Sequence, residues 1–148
     1  LLTLLHVRAL TNEGSNINIV SEILDDHNRE LAETSRADDF IVSDKVVSHV
    51  IAQLSENKHL APLFNSLFSG EGGKISLSPA SSYVTTGVPV SFDTVVEAAL
   101  RKEQSAIGYR LHSLKSEPGE MHGVRLNPSR RKELTYSSED SIILIDHR

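Results

Sequence analysis

The chain has 148 residues, 39% of them hydrophobic and 24% charged, with a formal net charge of −5. That composition belongs to a globular protein, and the length suits one ordinary domain or two small lobes. The absence of cysteine excludes a disulfide framework, a thiolate zinc site and a cysteine nucleophile, and the acidic balance argues against a nucleic-acid partner, which would meet a basic face.

The most apolar stretch is residues 1–10 (LLTLLHVRAL), interrupted by His6 and Arg8. It is about half the ~20 residues that a bilayer span requires, and it lacks the basic flank of a signal peptide. Leu1, Leu4 and Leu5 suit the last turns of a buried helix. With no initiating methionine and an opening inside an apolar run, the chain is expected to be a piece of something longer.

Residues 17–24 (INIVSEIL) form a near-continuous apolar run, the pattern of a strand covered on both faces. Asp25 and Asp26 follow, and either can cap a helix over roughly 27–36. Residues 40–42 read as a second buried strand. Ser43 then offers an N-cap, with Asp44 in the first turn, for a helix to about Glu56. This βαβα order implies an open, parallel sheet.

Two helical stripes come next. Val46, Val47, Val50, Ile51 and Leu54 make the first, and Leu60, Leu63, Phe64, Leu67 and Phe68 the second. They suit either a cover for the sheet or a helical hairpin used for subunit pairing, the two phenylalanines serving as interface anchors. Pro62 belongs in a first helical turn, so the connection should extend to about His59. His49 lies beside the first stripe and reads as a partly buried, satisfied histidine.

The GEGG segment at 70–73 is the clearest linker. Beyond it a strand is expected over 74–77, ended by Pro79. Ser91 should cap a helix over 92–103 whose Phe92, Val95, Val96, Ala99 and Leu100 share one face. Strands over 105–112, 124–126 and 141–146 and a polar loop over 113–123 complete a small α+β lobe.

Catalytic signatures are missing. There is no nucleophile elbow, phosphate loop or His-Glu-x-x-His pair, and the glycine-rich 70–73 segment does not join a strand to a helix. The carboxylates are more informative, because ligands of a parallel sheet gather beyond the carboxyl ends of its strands. Asp25, Asp26 and Asp44 belong to that rim and are candidate ligands for a hard cation such as calcium, although capping alone also explains them. Tyr109 and Arg110 suit an internal ion-pair and packing role, or the grip of an anion or of a neighbouring subunit. Arg130, Arg131 and Lys132, flanked by Glu133, read as a solvated turn.

The segments IVSEILD (19–25), NRELA (28–32), DDFIVS (38–43) and QLSEN (53–57), followed by AIGYR (106–110) and LNP (126–128), resemble the CASTOR/POLLUX ion-channel family and its bacterial relatives. The resemblance covers nearly the whole chain and implies a cytosolic domain that regulates potassium conductance, an RCK domain. In that frame residues 1–43 are the back half of a Rossmann-like parallel-sheet lobe. Residues 44–69 are a helical crossover hairpin that exchanges between subunits. Residues 70–148 are an α+β C-terminal lobe, in which Pro128, Asp140 and strand 142–145 fit the family pattern. Glu139 stands where a glycine is usual, and Pro62 where relatives have an ordinary helix former.

The resemblance implies a regulatory, non-enzymatic gating-ring role. The expected partners are further copies of the chain, paired through Val47, Val50, Ile51, Leu54, Leu60, Leu63, Phe64, Leu67 and Phe68, and the membrane pore of the parent chain. The domain would sit at the cytoplasmic face of the membrane, with calcium the ligand suggested by the plant relatives. The alternatives are a free-standing regulatory subunit of a potassium transporter and a fragment of a soluble dinucleotide-dependent enzyme.

Overall fold

The computed structural model describes residues 6, 10, 20–23, 39–69, 73–115 and 117–146. Asp25, Asp26, the helix expected over 27–36 and most of residues 1–10 and 70–73 lie outside the described residues. The chain divides into two compact units, Leu1–Ala61 and Pro62–Arg148.

In the first unit, strands β1 (Val20–Ile23) and β2 (Asp39–Val42) pair in parallel, from Val20 opposite Asp39 to Ile23 opposite Val42. A parallel pair needs a crossover of about a dozen residues or more, which 24–38 supply. This pair is the only parallel pairing among the described residues. Helix α1 (Ser43–Glu56) follows β2 directly. Ser43 was expected to cap it, but its hydroxyl donates to the Glu22 carboxylate on β1. Asn57 does act as a cap, its side chain accepting from the His59 N–H at 3.0 Å over the turn Lys58–Leu60. Helix α2 (Ala61–Phe68) then begins, with Pro62 in its first turn as the ring requires.

The second unit is built on a four-stranded antiparallel sheet. Its strands are β3 (Lys74–Pro79), β5 (Gln104–Arg110), β6 (Val124–Leu126) and β8 (Ser141–Asp146), in the order β3-β8-β5-β6. Helix α3 (Phe92–Leu100) packs on one face. A short ribbon of β4 (Pro89–Ser91) and β7 (Glu133–Thr135) completes the unit. The core joins Phe92, Val95 and Ala99 of α3 to Ile142 and Leu144 of β8, with Ala80, Val84 and Tyr136 around them.

Several boundaries differ from expectation for local reasons. Helix α3 stops at Leu100 rather than 103, and Glu103 takes a φ of 58°, which reverses the chain into β5. Strand β5 ends at Arg110 because the His112 N–H leaves the ladder for the Asp140 carboxylate. Ser91 stands at the N-cap of α3, but its hydroxyl meets the Thr94 hydroxyl at 3.2 Å instead of a backbone N–H. Pairing slips between Ala106 and Gly108, a β-bulge whose Ile107 carbonyl accepts from the Asn127 N–H at 2.9 Å. Gly108 is required there, since a Cβ would stand 2.3 Å from the Arg125 carbonyl oxygen.

Candidate functional site

Three places in the described residues gather chemistry or unsatisfied surface. The first is the carboxyl end of the β1–β2 pair. Glu22 on β1 and Ser43 at the start of α1 are joined by a hydrogen bond, and Asp44 stands exposed beside them in sequence, in the first turn of the helix. An acidic side chain there is stabilised by the positive end of the helix dipole. Of the three carboxylates expected at this rim, only Asp44 is described. Among the described residues, no group of three or more metal-capable side chains is brought together. Glu22 was not singled out from sequence, although a lone acid inside the apolar run INIVSEIL is its visible signal.

The second feature is exposed apolar surface, on α1 in the first unit and, separately, on α2 in the second. The stripes form as their spacing requires, yet neither helix buries a single residue. Val47 and Ile51 on α1, and Leu63 and Phe68 on α2, are more than half exposed, Phe68 reaching 70%. Val50, Leu54, Leu60, Phe64 and Leu67 are half-buried. Phe64 and Phe68 stack with ring centroids 6.1 Å apart. His49 is exposed rather than partly buried, because the α1 surface around it has no cover. No described helix is long and apolar enough to cross a membrane.

The third place is the core end of the second unit. Tyr109 packs edge-on to Phe92 and Tyr136, at 6.2 and 5.8 Å, so it serves packing and does not face solvent as an anion grip would. Asp140 is 4% exposed, and both of its carboxylate oxygens are used. The His112 N–H donates to one at 2.8 Å and the Ser137 N–H to the other at 2.7 Å, while the Ala80 N–H donates to the Asp140 carbonyl at 2.8 Å. One buried acid therefore ties three segments together. Burial raises the Tyr136 phenol above its ordinary value, with Tyr109 and Asp140 adding to the effect. A hollow of about 340 Å³ beside it is lined by Thr86, Gly87, Thr135, Tyr136, Ser137 and Ser138. Its lining is hydroxyl-rich and contains no acid or imidazole that could act as a general base. Arg130 lies 3.9 Å from Asp93 at the exposed start of α3.

No family model matches the chain. Curated proteins do. The chain is 27% identical over 139 residues to "Probable ion channel POLLUX" of Arabidopsis thaliana, an alignment covering 94% of this chain and 16% of the plant protein. It is 31% identical over 93 residues to "Ion channel CASTOR" of Lotus japonicus, covering 63% of this chain and 11% of that one. The chain thus spans about a sixth of the length of the relatives it matches. Among solved structures, "Crystal Structure of the GsuK RCK domain" is 19% identical, covering 99% of this chain and 27% of that one at a TM-score of 0.38. "GsuK channel bound to NAD" is also 19% identical, with 99% and 23% covered at a TM-score of 0.39. By sequence, the chain is similar to one segment of the CASTOR/POLLUX-type ion channels.

Proposed function

We propose that the chain is a cytosolic, ligand-sensing regulatory segment of a cation channel of the CASTOR/POLLUX type. The observation that carries this reading is the similarity over 94% of the chain to proteins named as ion channels. The uncovered apolar stripes of α1 and α2 support it, because a regulator that works by assembly keeps such surface for its own copies. In this reading 1–43 form a Rossmann-like half-lobe, 44–69 a crossover hairpin that pairs subunits, and 70–148 the C-terminal lobe. The regulatory role in this reading follows from the similarity to proteins named as ion channels.

The mechanism is a population shift between ring shapes beneath a pore. A ligand biases one shape only by binding it more tightly than the other. Moving a two-state ring from 1:99 to 99:1 takes about 10⁴-fold preference, which repeated sites in a ring can share. The rim of β1 and β2, with Glu22, Ser43 and Asp44, is the candidate ligand end, and calcium suits its oxygen chemistry.

Two measurements test the reading. The mass of the 148-residue chain in solution should be that of a dimer or larger, and Phe64→Asp should reduce it to the monomer. An unchanged oligomer in that variant removes the hairpin as the interface. Calcium should raise the thermal midpoint by mass action, since a ligand at 100 times its dissociation constant adds about 2.7 kcal/mol to the folded state. A midpoint that stays fixed at millimolar calcium removes calcium as the ligand.

A further inference from the structure

The four-stranded sheet ends differently at its two edges, and its backbone hydrogen bonds fix what each edge offers. The Ala80 N–H donates to the Asp140 carbonyl at 2.8 Å, so these two residues continue the β3–β8 ladder as a hydrogen-bonded pair. Such pairs alternate along an antiparallel ladder, so Ser78 and Ser76 also turn their backbone groups to β8, opposite Ile142 and Leu144. Ile75 and Leu77 therefore turn theirs outward, and none of these four N–H and C=O groups has a partner among the described residues. Their side chains are exposed at 50% and 54%, on the face opposite the one where Ser76 and Ser78 meet the buried Leu144 and Ile142. Pro79, the next residue to face outward, has no N–H to offer. The far edge is closed by contrast. Strand β6 has three residues, and Gly123 and Asn127 take φ of 82° and 47° at its two ends, which turns the chain out of the strand. Edge strands are ordinarily kept short, bent or charged in this way, and residues 75–78 carry no such device.

We propose that the β3 edge pairs, antiparallel and about a two-fold axis, with the β3 edge of a second copy, joining two four-stranded sheets into one continuous sheet. The register is centred on Ser76. Ile75 of each copy then lies opposite Leu77 of the other, and each such pair exchanges two hydrogen bonds. All four outward groups of each copy are satisfied, and Pro79 lies outside the pairs that need a donor. Four aliphatic side chains gather on one face, the kind of cross-strand contact that stabilises a sheet. On the other face Ser76 meets Ser76, and its hydroxyl already donates to Asp146 at 2.7 Å, so no unpaired hydroxyl is covered. Charge selects the same occupant. The chain carries a formal net charge of −5, which sets copies against each other in general, but residues 74–79 contain no acid. Their one charge, Lys74, falls opposite the uncharged Ser78, and the two lysines stand at opposite ends of the ribbon. A foreign peptide strand would meet the same backbone groups, but nothing on the edge selects its side chains, whereas β3 matches itself. The surface is separate from α1 and α2, and the proposal does not depend on them. The contact is small, so it forms in concentrated chain or where copies are already held together.

The test uses the Phe64→Asp chain, in which pairing through the helices is removed, and follows amide hydrogen exchange by NMR alongside mass by sedimentation. At micromolar concentration the Ile75 and Leu77 amides should exchange freely, while those of Ser76 and Ser78, bonded to β8, stay protected. At millimolar concentration the Ile75 and Leu77 amides should slow about tenfold as the mass doubles. Leu77→Pro removes an outward N–H without touching a bond to β8 and should abolish both changes. Leu77→Lys, which places a charge on the edge, should abolish them too, and it carries the test where the proline variant does not fold. Leu126→Lys, on the exposed far edge, should leave them intact. A chain that stays monomeric at millimolar concentration with both amides fast overturns the proposal. So does protection that is equal at every concentration, which would mean that a segment of the same chain covers the edge. A doubled mass with both amides still fast overturns it as well, by placing the pairing elsewhere.

Discussion

Helices α2 and α3 carry similar apolar stripes and meet opposite fates. Both repeat large apolar residues at three- and four-residue intervals, and each carries phenylalanine. Yet α3 buries Phe92, Val95 and Ala99 against β8, while α2 buries nothing. Periodicity states that a helix has an apolar face; it does not state which molecule covers that face. The distinction is set by the partner strand. Ile142 and Leu144 of β8 meet α3 in the core, whereas no described residue buries the apolar face of α2.

Substitution can sharpen that contrast. Phe92→Ala should cost about 3–5 kcal/mol of folding stability, the usual loss for a buried aromatic. Phe68→Ala in α2 should cost no more than about 0.5 kcal/mol in the dilute monomer, as surface changes do. Urea unfolding of the two variants at low protein concentration measures both, and equal losses would show that α2 is covered within its own chain. Asp140→Asn comes next, at about 2 kcal/mol, because the amide nitrogen cannot accept from either the His112 or the Ser137 N–H and leaves one buried donor unpaired. A change below 0.5 kcal/mol would mean that Asp140 does not hold those segments together.

The smallest effect is alkaline. The Tyr136 phenol is raised by burial, so the folded chain holds this proton more tightly than the unfolded chain. Its contribution to stability is complete below about pH 10, where the unfolded phenol is still neutral. It drains as the pH rises from there toward the folded value. Thermal midpoints from pH 8 to 11 should fall less steeply for Tyr136→Phe than for the unmodified chain; parallel curves would place the alkaline loss elsewhere.

Much of this architecture was legible in the sequence because it rests on local signals. Helix α1 begins and ends where Ser43 and Glu56 suggested, and strands 124–126 and 141–146 fall on their apolar runs. The β4–β7 ribbon was not legible, since three-residue strands with Pro89 in one of them carry no alternation to read. The early stop of α3 depends on Glu103 entering a left-handed conformation that its side chain does not announce. At the candidate rim, Asp44 was legible through its place after an apolar run. Glu22 was not, because its bond to Ser43 depends on how β1 and β2 pair. The inverted faces of β3 were hidden for the same reason: KISL alternates cleanly, but only the pairing with β8 reveals which set of side chains meets the core.

The place of β8 has a consequence for synthesis. It is the last strand of its sheet to leave the ribosome, and it lies between β3 and β5 in the sheet. The Ser76 hydroxyl waits for Asp146, seventy residues later. Until β8 arrives, β3 has no hydrogen-bonding neighbour, and Val95 and Ala99 have no Ile142 or Leu144 to cover them. Loop-closure entropy of that length slows folding. In the meantime the nascent lobe leaves two aliphatic surfaces exposed, the condition under which partly folded chains tend to aggregate.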